Sequence, residues 1–115
     1  MRPSASAQQS GLSAFFRALA DPTRLRLFNL MLSGEVCVCH FCEVLRLSQP
    51  MVSRHLAYLK RARLVAARRE GRWIHYRWQT PREPSVRATM DGLRAGLSKD
   101  GPMTREREEL KRVCC

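Results

Sequence analysis

No apolar run in the sequence approaches the roughly 18 residues that a membrane-spanning helix needs. The first ten residues, Met1 to Ser10, hold no apolar stretch of the secretory kind. Cytoplasm is therefore the expected location, with no membrane partner. There is no glycine-rich phosphate loop, no cofactor fingerprint and no internal repeat. Those absences count against nucleotide- and cofactor-dependent enzymes, and no organic cofactor is expected. Acidic residues are scarce: 10 Asp and Glu stand against 21 Lys and Arg, a net charge of +11 over 115 residues. Such an excess suits a polyanion, because each neutralised phosphate releases condensed counterions. A merely solvated basic surface is the bland alternative. An anionic membrane face is another, but no basic amphipathic helix stands out.

What is present is the patterning of one domain with a modest core. A hydrophobic fraction of 44% excludes a disordered chain. Residues 1–10 lack periodicity and read as a flexible tail. Leu12, Phe15, Phe16 and Leu19 recur at i, i+3, i+4, i+7, the apolar face of a helix. Asp21-Pro22 sets an N-cap before a proline at the first helical position. Apolar residues from Leu25 to Leu32 then cover most sides of a second helix, which predicts a central place for it. Ser33-Gly34 ends it. Glu35 to Val38 is a short extended piece, and a third helix is predicted near Cys39 to Leu47. Ser48 caps a fourth helix, with Pro50 in its first turn. Val52, Leu56 and Leu59 form that helix's inward stripe, and it ends near Arg63. Val65 to Glu70 and Trp73 to Trp78 flank Gly71-Arg72, the pattern of a tight β-hairpin. Thr80 to Pro84 is a linker, and Val86, Met90, Leu93 and Leu97 mark a further helix. Lys99 to Pro102 breaks it. Residues 99–115 read as a charged tail, with a helical stretch allowed over Thr104 to Val113, ending in Cys114-Cys115.

The expected fold is mainly α with a small β-hairpin (α+β), a winged helix-turn-helix over residues 11–98. On the fourth helix Gln49, Ser53 and Arg54, with Tyr58 and Arg61 further along, face outward. Gln matches adenine edges and Arg matches guanine edges in a major groove. Ser48 and Ser53 can donate to phosphates. His55 reads either as a core residue or as a phosphate contact. Arg68, Arg69 and Arg72 on the hairpin can reach the minor groove or backbone. Singly, each of these is an ordinary solvated residue; the ordered set of helix, capped helix and basic hairpin carries the nucleic-acid reading. Trp73, Ile74, Tyr76 and Trp78 read as packing residues.

Four segments in order, Asp21-Pro22-Thr23-Arg24-Leu25-Arg26, Cys37-Val38-Cys39-His40-Phe41-Cys42, Ser48 to Leu56 and Gly71 to Tyr76, resemble the ArsR/SmtB metal-responsive repressors. The resemblance covers about Phe15 to Trp78. It implies a homodimer on double-stranded operator DNA, with Ser48 to Leu59 as recognition helix, released when an inducer ion binds. The cysteine run resembles the arsenite-sensing branch. It implies As(III) or Sb(III) as inducer ligand, bound by Cys37, Cys39 and Cys42. The zinc site that SmtB-type relatives carry on the last helix needs His and acidic ligands. Residues 85–98 offer Asp91 alone, so that site is expected to be absent.

The cysteines carry their own argument. Five is an odd number, three of them lie within six residues, and a reducing compartment argues against a disulfide framework. Soft thiolates select soft ions, and three without a fourth strong donor suit a three-coordinate ion. Zn(II) prefers four ligands, and His40, directly following Cys39, should point elsewhere. Residues i and i+3 of a helix share a face, whereas i and i+2 are about 200° apart. Cys37 can therefore join Cys39 and Cys42 only if the helix is irregular there. The expected switch is an unwinding or re-aiming of the third helix at its start, with thiol pKa values lowered near the helix N-terminus. A redox-responsive, or a Cd-, Zn- or Pb-responsive, regulator on the same fold is the alternative. Buried cysteines acting as small hydrophobes are the bland reading. Cys114-Cys115 is a second soft-ion site, an accessory donor to the first, or an idle end. A thiol enzyme is disfavoured, because no cysteine has a paired base beyond neighbouring His40. Finally, the stripes Leu12, Phe15, Phe16, Leu19 and Val86, Met90, Leu93, Leu97 are expected to pack across a two-fold axis as the dimer interface.

Overall fold

The computed structural model describes residues 11–113. Residues 1–10, read above as a tail, and Cys114-Cys115 lie outside the described residues. Helix α1 spans Gly11–Leu19 and α2 spans Pro22–Leu30. Strand β1 (Val36–Cys37) leads directly into α3 (Val38–Leu45), and α4 covers Gln49–Arg61. Strands β2 (Val65–Glu70) and β3 (Trp73–Trp78) precede α5 (Pro84–Ser98) and α6 (Gly101–Leu110). No helix among the described residues is long and apolar enough to cross a membrane.

Local chemistry sets these boundaries. Asp21 Oδ1 accepts from the backbone N–H groups of Thr23 (2.8 Å) and Arg24 (3.1 Å), satisfying two donors that the start of α2 leaves open. Ser48 Oγ accepts from Met51 N (3.3 Å) and caps α4 in the same way. Helix α3 stops at Leu45, short of the expected Leu47, because Arg46 adopts a left-handed conformation (φ 57°, ψ 46°) and its N–H turns back to the Cys42 carbonyl. Only Arg46, Leu47 and Ser48 then separate α3 from α4. Gly71, at φ +61°, supplies the positive angle that the two-residue hairpin turn requires.

As expected, α2 is central: Leu27, Phe28, Asn29 and Leu30 are all buried. Around it lie Phe41 and Val44 of α3 and the predicted inward stripe Val52, Leu56 and Leu59 of α4. Trp78 closes one side. Its ring meets Phe28 edge-on at 4.2 Å and its Nε1–H donates to the Phe28 carbonyl (3.1 Å). Tyr76 and Ile74 are half-buried, as packing residues should be, but Trp73 at the hairpin tip is exposed.

One expectation is extended and two need correction. The extended piece before α3 is the third strand of the hairpin sheet, in the order β1-β3-β2, with Val36 opposite Tyr76 and Cys37 opposite His75. The segment read as a charged tail contains α6, which packs on α2 and α3. Its hold is polar: Asn29, buried, donates to the Met103 carbonyl (2.9 Å) and accepts from Arg107, while Arg26 pairs with Glu106. The proposed dimer stripes are mostly intrachain core. Helices α1 and α5 pack on each other, burying Phe15, Leu19, Val86, Met90 and Leu97 within one chain. Phe16 is left 57% exposed, and Leu12 and Leu93 are half-buried.

Candidate nucleic-acid interface and its thiol cluster

Helix α4 offers solvent an exposed Ser48, Gln49, Arg54 and Arg61, with Ser53 half-buried beside them. Gln49 Nε2 donates to Ser53 Oγ (2.9 Å), which fixes the amide's direction before any base is met. His55 belongs neither to the apolar core nor to the outward row. Its Nδ1 stands 3.4 Å from Arg24 Nη1. Arg24 itself ties three helices together. It donates through Nε to the Ala18 carbonyl (2.6 Å) at the end of α1 and lies 3.9 Å above the Tyr58 ring of α4. Sequence reasoning assigned Arg24 no role, because its partners lie at separations that no local pattern encodes.

The hairpin β2–β3 is the wing. Arg69 and Arg72 are exposed; Arg69 donates to the Gly71 carbonyl (3.3 Å), and Arg72 lies 5.9 Å from the Trp73 ring. Arg68 is engaged differently. Its Nε and Nη2 make a two-pronged pair with Glu35 (3.0 and 2.8 Å), and Nη1 stands 3.7 Å from Glu70. The Arg68 guanidinium holds the Glu35 carboxyl below its ordinary pKa, and Glu35 raises that of Arg68 in return.

The cysteines sit where β1 turns into α3. Cys37 is the residue before the helix, extended at φ −77°, ψ 146°, so the chain is not helical across 37–39. That irregularity brings Cys37 Sγ within 3.5 Å of Cys39 Sγ. Two sulfurs bound to one ion at about 2.3 Å each, at angles between a right angle and the tetrahedral one, stand ~3.3–3.8 Å apart. The Cys37–Cys39 separation falls within that span, although the Cys39 sulfur is committed to a disulfide. Cys37 and Cys42 carry free thiols, whereas Cys39 is disulfide-bonded. Among the described residues, no group of three or more His, Cys, Asp or Glu side chains is assembled as a metal site. Cys42 is half-buried, and burial, reinforced by Cys37, pushes its thiol pKa up rather than down. The expectation of a lowered pKa is corrected for this residue: desolvation outweighs its own backbone hydrogen bond.

A short helix, a three-residue turn, a capped second helix and a basic β-wing define a winged helix-turn-helix protein, the architecture of DNA-binding regulators. Residues 21–67 match the family model described as bacterial regulatory protein, arsR family. The chain is 42% identical over 83 residues to the arsenic resistance transcriptional regulator ArsR1 of Pseudomonas putida, covering 71% of this chain and 62% of that one. It is 45% identical over 62 residues to an uncharacterized HTH-type transcriptional regulator of Methanocaldococcus jannaschii, covering 53% and 70%. The chain belongs to the ArsR family, and spans about three-fifths of the Pseudomonas relative's length. In fold it is similar to HlyU from Vibrio cholerae (TM-score 0.68, 26% identity, covering 86% and 100% of the chains). It is similar also to the homodimeric winged helix-turn-helix DNA-binding domain Mb0332 from Mycobacterium bovis (TM-score 0.65, 24% identity, covering 86% and 89%).

Proposed function

We propose that this protein is a cytoplasmic, metalloid-responsive transcriptional repressor. It binds operator DNA as a dimer and leaves it when As(III) or Sb(III) is captured by Cys37, Cys39 and Cys42. The observation that carries this reading is the 3.5 Å approach of Cys37 and Cys39 at the start of α3, on a helix that packs on α4. In the bound complex α4 lies in the major groove, with Gln49, Ser53 and Arg54 toward base edges and Ser48 toward a phosphate. Arg68, Arg69 and Arg72 follow the backbone or the minor groove. His55 acts by bracing α4 against Arg24. Three thiolates suit a three-coordinate soft ion. Gathering Cys42 to the preformed pair re-aims α3, and α3 carries α4 with it. Capture requires Cys39 as a thiolate, so its disulfide must first be reduced, by two electrons and two protons from a small-thiol pool. The dimer surface that remains is Phe16 with Leu12 and Leu93.

The disulfide at Cys39 favours a second reading, a redox-responsive regulator on the same fold. One experiment separates the readings. Operator binding by the reduced protein is titrated with As(III), Sb(III), Cd(II), Zn(II) and peroxide. Release by As(III) and Sb(III) at the lowest concentrations supports metalloid sensing. Release by peroxide alone supports the redox reading, and release by Cd(II) or Zn(II) alone transfers the site to borderline ions.

A further inference from the structure

The sheet places the sensor thiol and a wing arginine in one cross-strand row. Its order is β1-β3-β2, His75 is opposite Cys37 on one side, and His75 is opposite Arg68 on the other. Directly opposed residues point to the same face of a sheet, so Cys37, His75 and Arg68 line up across it, about two strand spacings, roughly 10 Å, from end to end. Glu35 lies two residues before Cys37 on that same strand path and grips Arg68 through two hydrogen bonds of 2.8 and 3.0 Å. Glu70 completes the patch. It stands 3.7 Å from Arg68 and 3.2 Å from His75 Nε2. Core residues occupy the opposite face, where Val36 and Val65 are buried. This face runs from the buried Cys37 through the half-buried His75 to the Arg68, Glu35 and Glu70 cluster, a link between the thiols and the wing separate from the route through α3 and α4.

We propose that Glu35 is a positioning residue that competes with DNA phosphate for Arg68 and so ties the wing to the thiol cluster. This rests on the metalloid-responsive reading above. Arg68 cannot give its two-pronged face to a carboxylate and to a phosphate at once. While Glu35 holds it, the wing carries one fewer phosphate-neutralising charge. Joining Cys37 to Cys39 and Cys42 through an ion pins β1 to α3. That fixes Glu35, two residues upstream, in the position that grips Arg68. Ion capture then withholds a wing contact in addition to re-aiming α4. The pairing is specific to this arrangement: Arg69 and Arg72, on the same hairpin, have no carboxylate partner among the described residues.

The test uses the reduced full-length protein, a duplex selected by the wild-type protein from a random library, and sodium arsenite. Glu35→Gln removes the competitor without shortening the side chain. It is expected to tighten DNA binding without arsenite and to steepen the slope of log affinity against log salt by about 0.9, the effect of one more neutralised phosphate. The arsenite-induced loss of affinity should shrink. Glu35→Asp, which keeps the charge, should restore wild-type behaviour. In an Arg68→Gln background, Glu35→Gln should change neither slope nor response. An unchanged salt slope and arsenite response in Glu35→Gln would overturn the proposal, as would the same changes persisting without Arg68. If wild type ignores arsenite while Glu35→Gln still steepens the slope, the metalloid reading fails and the competition for Arg68 stands.

Discussion

Asp21 illustrates how much a single side chain fixes. Burial alone would raise its carboxyl, but the Arg24 N–H, the nearby His55, the Arg24 charge and the Thr23 N–H outweigh it and hold the pKa below the ordinary aspartate value. A depressed carboxylate contributes stability that is full above its unfolded pKa and is lost as pH falls through the folded one. The window therefore lies below about pH 3.9. Asp21→Ala is expected to cost about 0.5–2 kcal/mol at neutral pH. Urea unfolding of both proteins at pH 7 and at pH 2.5 should show that difference narrowing in acid; an undiminished difference would mean that the cap's charge is irrelevant. The Asp21-Pro22 cap was legible from sequence because capping is local. The Arg24 rivet was not, since a lone arginine in a basic chain carries no mark of the ring and carbonyls it will meet.

At the scale of elements, α4 was the most readable. Its cap, its proline and its stripe at i, i+4, i+7 all fell where the structure has them. Helix α6 was read as tail because it has no continuous apolar stripe; only Met103 and Leu110 pack on the core, and it docks by Asn29, Arg26 and Arg46. Those polar partners sit more than sixty residues upstream. The extended backbone of β1 was expected but its pairing with β3 was not, because two residues are too few to show alternation. Since the buried Asn29 side chain bonds only to α6, donating to the Met103 carbonyl and accepting from Arg107, Asn29→Ala removes two of the contacts that dock that helix. A loss of about 1–3 kcal/mol is expected, with amide exchange accelerated first in residues 101–110. Protection unchanged there would show that the apolar contacts suffice to dock the helix.

At the scale of the molecule, the apolar stripes of α1 and α5 announced burial correctly but not what would cover them. Periodicity reports that a face is hidden, and here α1 is covered by α2 and α5, and α5 by α1 and α6, within one chain. What stays uncovered is the face around Phe16, to which the dimer proposal is now confined. Phe16→Glu should weaken self-association by about 2 kcal/mol, roughly thirtyfold in Kd, if this ring anchors the interface. Sedimentation at micromolar protein checks it; a wild-type protein that is monomeric there removes the proposal of paired reading helices. The cysteine trio was legible as a group from its spacing, but its internal geometry was not. The extended backbone at Cys37, paired with β3 of the wing, places the first two sulfurs together, while Cys42 is half-buried and completes no assembled trio among the described residues.

The most direct measurement of the central claim is the affinity of the reduced protein for its selected operator duplex, with and without saturating arsenite, for wild type and for Cys37→Ser, Cys39→Ser and Cys42→Ser. Wild type should lose about 5- to 150-fold in affinity, the usual range of such coupling. The serine variants should bind DNA normally and lose most of that response. Equal operator affinity with and without arsenite in the wild type, or a full response in all three variants, would contradict the account.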